Sequence, residues 1–420
     1  MIKNLTSKQN LNRAYLRVYR NKGAKGIDNI SVMELKSKLQ ANSTLYIKQI
    51  ESGKYQTSPI LGIEIPKGNG KTRLLGIPTV VDRVFQQALC QVLQPIFEMD
   101  FQQHSYGFRP NRNAHQAVAE SLKNINSGYQ DIIDIDLKSF FDEVEHYVLL
   151  ELIYKRVKCK QTMKLLRSFL RAPIQINGKL QKRKKGIPQG SPLSPLLSNI
   201  LLNELDKELE KRGHRYVRYA DDFSIYVKSK QSAKRVGNSI YKFLRDKLHL
   251  PINREKSGIR RPVNFSTLGF GFVPTYKKGE KGKYQIVVEK SKWKEFKSKL
   301  KFITKKTIPA SFDERIWRIN LLMRGWINYF KPASIAGKLK ALEVWLRSRL
   351  RYCIWHDWKK PDRKRKNLIR LGINPNMAYA WSRTRMGGWR VAQSPILSTT
   401  VTIPRLKMRG YVSFVDYYQK

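Results

Sequence analysis

The chain has 420 residues, with 82 Lys+Arg against 32 Asp+Glu and a formal net charge of +50 at pH 7. Self-repulsion on that scale calls for a polyanionic partner, while 41% apolar and 11% aromatic residues exclude a disordered basic tail. No run approaches the roughly 20 apolar residues of a membrane span, so no membrane is expected among its partners. The start, Met1-Ile2-Lys3-Asn4-Leu5-Thr6, has no apolar targeting stretch. Cys90, Cys159 and Cys353 are far apart and form no CxxC pair, which argues against a disulfide framework or a Cys-rich zinc site. The expectation is an intracellular nucleic-acid-binding protein.

In chain order, residues 10–20 are periodic through Leu11, Tyr15 and Val18 and read as a helix, which Gly23-Ala24-Lys25-Gly26-Ile27-Asp28 interrupts. Ser31 is the expected N-cap of the next helix. Residues 59–275 alternate short β-rich and helical runs, the pattern of an α/β or α+β body. Past a Lys/Gly-rich break at 277–283 the pattern turns helical. Ile316, Ile319, Met323, Trp326 and Phe330 share one helix face, and Leu339, Leu342, Leu346, Leu350 and Cys353 share another. Such stripes are packing surfaces. Residues 359–366 read as a basic connector before a small C-terminal piece. Residues 290–420 hold 31 Lys+Arg and only 7 Asp+Glu, so the last third is about twice as basic per residue as the rest, the mark of a unit devoted to binding.

Two acidic segments carry chemistry. In Asp131-Ile132-Ile133-Asp134-Ile135-Asp136-Leu137, Ile133, Ile135 and Leu137 fall on one face of an extended strand, and Asp134 and Asp136 on the other. In the segment 215–227, two β-rich arms flank Ala220-Asp221-Asp222-Phe223, which suits a hairpin turn. Adjacent Asp residues on a straight strand point apart; at a turn both can approach one ion, joined by Asp136 from a neighbouring strand. Three carboxylates on rigid strands, with no His or Cys among them, suit Mg²⁺. An Asp-Asp turn alone is usually solvated turn chemistry; a third Asp on an apolar strand, with an aromatic five residues on, favours a site. The six His show no ligand spacing, and His104 and His146 are assigned to structure or nucleic-acid contact.

At Tyr219-Ala220-Asp221-Asp222 the sequence resembles reverse transcriptases, and the remaining motifs narrow the likeness to bacterial group II intron-encoded reverse transcriptase–maturases. They run in family order: Ile65-Pro66-Lys67 with Thr72-Arg73; Leu75-Gly76-Ile77-Pro78-Thr79-Val80-Val81-Asp82-Arg83; Ser105-Tyr106-Gly107-Phe108-Arg109-Pro110; Asp136 through Phe141; Gly186-Ile187-Pro188-Gln189-Gly190; Tyr219 through Asp222; and Leu268-Gly269-Phe270. Gly325-Trp326-Ile327-Asn328-Tyr329-Phe330 extends the likeness into a helical maturase thumb. Ser191 stands where the family commonly has a second Gly. No Cys-rich endonuclease segment follows, a pattern that resembles the shorter group IIC members.

The resemblance implies an α+β right-hand polymerase. Its divisions would be an N-terminal extension (1–58), fingers and a ferredoxin-like antiparallel palm (59–275), a helical thumb (276–358) and a basic C-terminal DNA/RNA-binding segment (359–420). It implies Asp136, Asp221 and Asp222 as catalytic residues, and Asp136, Leu137, Asp221 and Asp222 as the set holding two Mg²⁺ ions. Lys67 and Arg73 would meet the phosphates of the incoming dNTP, Phe141 would be the steric gate beneath its sugar, and Gln189 would lie at the templating pair. Leu268, Gly269 and Phe270 resemble the primer grip. Arg363, Lys364, Arg365 and Lys366 are candidate nucleic-acid contacts. The implied activity is RNA-directed DNA synthesis on an RNA template with a DNA primer. It comes with binding of a group II intron RNA and assistance to its splicing and reverse splicing into target DNA, in a bacterial cytoplasm. The rival readings are a retron or defence-associated reverse transcriptase, and an RNA-binding splicing factor without polymerase chemistry.

Overall fold

The computed structural model describes residues 1–66, 70, 72–276 and 279–420. The chain folds as two compact units, Met1–Pro262 and Val263–Lys420. In the first unit the strands are β1 (Ile60–Pro66), β2 (Thr72–Ile77), β3 (Asp131–Ile135), β4 (Ile174–Ile176), β5 (Lys179–Gln181), β6 (Arg215–Tyr219), β7 (Asp222–Val227) and β8 (Gly258–Arg260). They form two four-stranded sheets, ordered β2-β1-β4-β5 and β6-β7-β3-β8.

The second sheet is antiparallel throughout. Helix Ser194–Lys211 lies between β3 and β6 in the chain, and helix Lys230–Asp246 between β7 and β8. That strand order and connection is the ferredoxin-like arrangement expected of a polymerase palm. The alternation in β3 sorts as its sequence predicts: Ile133, Ile135 and Leu137 are buried, while Asp134 turns outward to Arg260, 2.9 Å away. One continuous apolar core runs from Leu5 and Val18 through Leu89, Ile153 and Leu201 to Leu250.

The N-terminal helix Lys8–Asn21 is fastened into that core by Asn10, whose Nδ2 donates to the Ala88 carbonyl at 3.1 Å. The next helix starts later than Ser31 predicts, at Leu35. Glu34 explains the shift. Its carboxylate accepts from the Ser31 N–H and hydroxyl, so Ser31 closes a turn instead of capping a helix.

In the second unit, β9 (Ser266–Thr267), β10 (Phe270–Pro274) and β11 (Tyr284–Val288) form a three-stranded sheet ordered β11-β10-β9. Helices Lys290–Ile303, Phe312–Phe330 and Ala336–Asp357 follow. Their stripes are core: Ile316, Ile319, Met323 and Phe330 are buried, as are Leu339, Leu342, Leu346, Leu350 and Cys353. Trp326 stacks on Phe296 with ring centroids 4.4 Å apart. Buried Arg315 donates to the carbonyls of Ile303 and Lys305 at 2.7 and 3.0 Å, supplying donors to the end of the helix Lys290–Ile303. Residues 359–366 are not a plain connector, because Pro361 opens the helix Pro361–Arg370. Proline suits the first helical turn, where an N–H would find no partner.

The palm's deepest polar contact is Arg218 on β6. It and Asp206 are both 0% exposed and 2.6 Å apart; Arg218 also donates to Asn199 Oδ1 and to the Ala220 carbonyl, each at 2.9 Å. Arg218→Met would leave the Asp206 charge buried without its partner, which costs about 3–5 kcal/mol. Urea unfolding is expected to show that loss, and Arg218→Met with Asp206→Leu to recover most of it.

Candidate active site

The register of β3 and β7 sets Ile135 opposite Phe223, so the next residue, Asp136, stands opposite Asp222. Tyr219 pairs with Asp222 across the β6–β7 hairpin, leaving Ala220 and Asp221 as a two-residue turn. Ala220 carries φ of 59°, the positive value such turns require. Asp222 is thus the first residue of β7 and not part of the loop. The turn is held from beneath by Arg218 and packed from above by Gly107. A Cβ on Gly107 would lie 2.3 Å from the Ala220 nitrogen, which only glycine avoids.

Asp136 is held by a loop that sequence reading passed over, residues 251–257. Leu137 bridges Ile252. The Asn253 backbone N–H donates to the Asp136 carbonyl at 2.8 Å, and its side-chain Nδ2 to Asp136 Oδ2 at 3.0 Å. The Asp136 N–H donates to Ser257 Oγ at 3.0 Å, and Lys256 Nζ lies 3.4 Å from Asp136 Oδ2. The signal was present as five polar residues, 253–257, after a buried Leu250 and half-buried Pro251 and Ile252, but nothing local marks which strand they serve.

Asp222 keeps an open face to solvent. Desolvation by the surrounding protein, and then repulsion from Asp221, Asp136 and Asp134, push its carboxyl up to about 6, with Lys256 opposing. Among the described residues no cation stands within 4.0 Å of Asp221 or Asp222. The donor set, carboxylates on neighbouring strands that repel one another, fits a hard divalent cation. It is not a closed cage: no group of three or more His, Cys, Asp or Glu side chains among the described residues is gathered to hold a metal ion.

A second part of the site is a cavity of about 930 Å³ whose walls include Arg73, Phe141 and Gln189, together with Arg17 and Arg20 of the N-terminal helix. Gln189 is placed by its own backbone, its carbonyl accepting from the Gly76 N–H at 2.7 Å. Gly190, at φ 115°, passes so close to the Gly76 carbonyl that a Cβ would meet it at 2.7 Å. Ser191 is buried and donates to Gln86 Oε1 at 2.9 Å, a tie that glycine could not make. Phe140 is buried core and Phe141 half-buried at the cavity. Arg83, also on this wall, donates to the carbonyls of Pro78, at 2.9 Å, and Ala24, tying the Gly-rich N-terminal loop to the motif that carries it. Lys67 lies outside the described residues.

The other candidates belong to the second unit. Leu268 and Gly269, at φ 53° and 80°, form the tip of the β9–β10 hairpin. Tyr329 donates to the Leu268 carbonyl at 3.0 Å, and Phe270 is wholly buried 5.0 Å from Phe330. Of the four candidate cations on the helix Pro361–Arg370, Arg363 and Lys366 are exposed, whereas Lys364 lies over the Trp355 ring at 4.4 Å and Arg365 over Tyr379 at 5.5 Å.

Residues 65–272 match the family described as reverse transcriptase (RNA-dependent DNA polymerase), and residues 293–372 the group II intron maturase-specific domain. Protein YkfC of Escherichia coli is 30% identical over 300 residues, which are 62% of this chain and 78% of that one. The group II intron-encoded protein LtrA of Lactococcus lactis is 35% identical over 191 residues, 44% of this chain but only 30% of its own length. A chain of the solved partial Cas6-RT-Cas1–Cas2 complex aligns at 27% identity over 59% of this chain and 42% of its own, with a TM-score of 0.39. The two family matches define a reverse transcriptase, an RNA-directed DNA polymerase. More narrowly, the chain belongs to the group II intron reverse transcriptase–maturase family.

Phe141 offers a direct test. As a gate it would collide with a ribose 2′-OH, and Phe141→Val is expected to raise ribonucleotide over deoxynucleotide incorporation in primer extension with the fold intact. If Phe141 is only packing, the variant instead loses both activities together and about 1–3 kcal/mol of stability.

Proposed function

We propose that this chain copies RNA into DNA by two-metal nucleotidyl transfer, and that it binds its group II intron RNA and assists the splicing and reverse splicing of that RNA. The observation that carries the catalytic half is the register placing Asp136 opposite Asp222, at a turn that also presents Asp221. Asp136, Asp221, Asp222 and the Leu137 position would hold the ions. Bound Mg²⁺, two ions on this reading, lowers the pKa of the primer's 3′-hydroxyl and stabilises charge on the departing pyrophosphate.

The chain's own groups do the rest. Arg73 offers the dNTP a planar fork for phosphate oxygens and Lys67 a point charge. Phe141 excludes a 2′-hydroxyl, and Gln189 faces the templating pair from a loop fixed to β2. The hairpin tip at Leu268–Gly269 offers close backbone approach to the primer. Asn253 and Ser257 keep the Asp136 carboxylate in place. The division into extension, fingers and palm, thumb and basic C-terminal segment at 58, 275 and 358 belongs to the same reading. The intron RNA, target DNA and bacterial cytoplasm are its setting.

Asp222→Ala is expected to cut primer extension by several orders of magnitude while template–primer affinity stays within a few-fold, since the basic contacts to the duplex are untouched. Extension at near wild-type rate in that variant rules out Asp222 as a metal ligand of the reaction, whereas no extension by the wild-type chain would leave an RNA-binding splicing factor.

Salt dependence tests the C-terminal contacts. Each phosphate neutralised releases condensed counterions, so Arg363→Gln with Lys366→Gln should make the salt slope of intron-RNA binding shallower by up to about two. Lys364→Gln with Arg365→Gln should chiefly lower the melting temperature, because those two cover aromatic rings. Slope and affinity unchanged in the first pair would remove this helix from the nucleic-acid surface.

A further inference from the structure

The first unit has a second concave surface that shares no residue with the cavity of Arg73, Phe141 and Gln189. It is a groove of about 620 Å³ between the helices His146–Arg156 and Lys160–Arg171. Five cations line it, Lys158, Lys160, Lys164, Arg167 and Arg171, all exposed. None of them has a carboxylate within 4.0 Å among the described residues. The groove's own acid, Glu151, is taken up by Lys155 at 3.2 Å. Five unneutralised cations around one hollow repel one another and call for a polyanion.

Two further features narrow the polyanion. Tyr147 and Tyr154 line the groove at 60% and 55% exposure, far above what tyrosine rings need for packing, and flat rings beside cations suit bases and sugars. At the inner end is His146, only 4% exposed. Its Nε2 is 2.7 Å from the Gly186 carbonyl and must carry the proton. Nδ1 is therefore an acceptor, and it is buried with no hydrogen-bond partner in the described structure. Burial, together with the nearby charges of Arg183 and Arg171, lowers the His146 pKa against the Gly186 bond and Glu145, which favours the neutral ring. A buried acceptor with no donor is costly unless a ligand supplies one. A phosphate backbone that also carries hydroxyl donors is RNA; DNA offers the same charge without the 2′-OH.

We propose that this groove is an RNA-binding site separate from the polymerase cavity, holding the backbone on its five cations, a base or sugar on Tyr147 and Tyr154, and a 2′-hydroxyl on His146 Nδ1. It deepens the reading of the chain as an intron-RNA-binding polymerase and rests on that reading for its biological ligand. It is tested with a defined probe. His146 also gives the site a place in the architecture: the carbonyl it holds begins the Gly186–Gly190 loop that carries Gln189.

The experiment uses the full chain and a 4-thiouridine-labelled RNA hairpin, with its deoxy counterpart as competitor. Ultraviolet crosslinks are expected on peptides containing Tyr147 or Tyr154. A Lys160/Lys164/Arg167/Arg171→Gln variant should weaken hairpin binding at least tenfold and abolish those crosslinks. The equal charge change Lys230/Lys234/Arg235/Lys242→Gln, on the exposed face of the helix Lys230–Asp246, should weaken binding less than threefold and keep the crosslinks. Extension of a short RNA–DNA template–primer by the groove variant should stay within twofold of wild type. Lost extension with crosslinks intact in the wild type would count against the polymerase reading and leave the groove standing.

His146→Phe should erase the preference for RNA over DNA at the crosslink, and Tyr147→Ala with Tyr154→Ala, both exposed, gives a second measure should the His146 variant unfold. Crosslinks elsewhere, equal losses from the two charge variants, or deoxy and ribo hairpins competing equally in the wild type overturn the proposal.

Discussion

Everything in the palm depends on the pairing of β3 with β7. Side chains alternate along a strand, so a slip of one residue would bring Asp134 to the face where Ile133 and Ile135 are buried. The register observed, with Ile133 opposite Ile225 and Ile135 opposite Phe223, is the one that buries all four of those residues. Hydrophobic burial therefore chooses the alignment. The candidate site residues follow from it, since Asp136 and Asp222 stand one position beyond the last pair, Ile135 and Phe223. The carboxylates need no attraction to meet; they are brought together against their own repulsion by an apolar core that gains from the same pairing.

That repulsion explains the density of fastening around the site. Asp136 is restrained through its N–H, its carbonyl and its carboxylate by Ser257, Asn253 and Lys256. The turn with Asp221 is braced through the Ala220 carbonyl by an arginine that is itself fixed on Asp206 and Asn199. Rotating any of these acids outward would relieve the field, and buried hydrogen bonds oppose it. Most of the restraint falls on the backbone of the acids' own segments, leaving their carboxylate oxygens available for chemistry.

Much of this was legible in the sequence, for local reasons. The alternation in β3, the hairpin at Ala220–Asp221 and the helix stripes of the second unit all depend on neighbours within a few residues, where period and turn chemistry are decisive. The helix start at Leu35 was misplaced because Ser31 and Glu34 form a reciprocal pair that either a cap or a turn can use. The connector at 359–366 proved helical because its charge hid the packing of Lys364 and Arg365 on aromatic rings distant in sequence. Asn253 and Ser257 could not be read at all. Their bonds to Asp136 cross 117 and 121 positions, and no local pattern marks a polar residue as belonging to a strand so far back. Arg218 was hidden for a different reason: in a chain with 82 basic residues, one buried arginine does not stand out.

The same excess of charge gives the acids their meaning. With 82 Lys+Arg for 32 Asp+Glu, a carboxylate placed at random on this chain would find a cation close by, and most of the palm's do. Asp131 has Arg261, Asp134 has Arg260, Asp206 has Arg218 and Asp100 has Arg156. Asp221 and Asp222 stand side by side without such a partner among the described residues, and the pKa of Asp222 is raised accordingly. Leaving two acids unpaired in so basic a molecule is electrostatically the harder arrangement, and a cation from outside would stabilise it. The groove on His146–Arg171 is the opposite case, cations gathered without acids. In a chain where acidic partners are scarce, these are two places where a ligand of opposite sign would relieve the local repulsion.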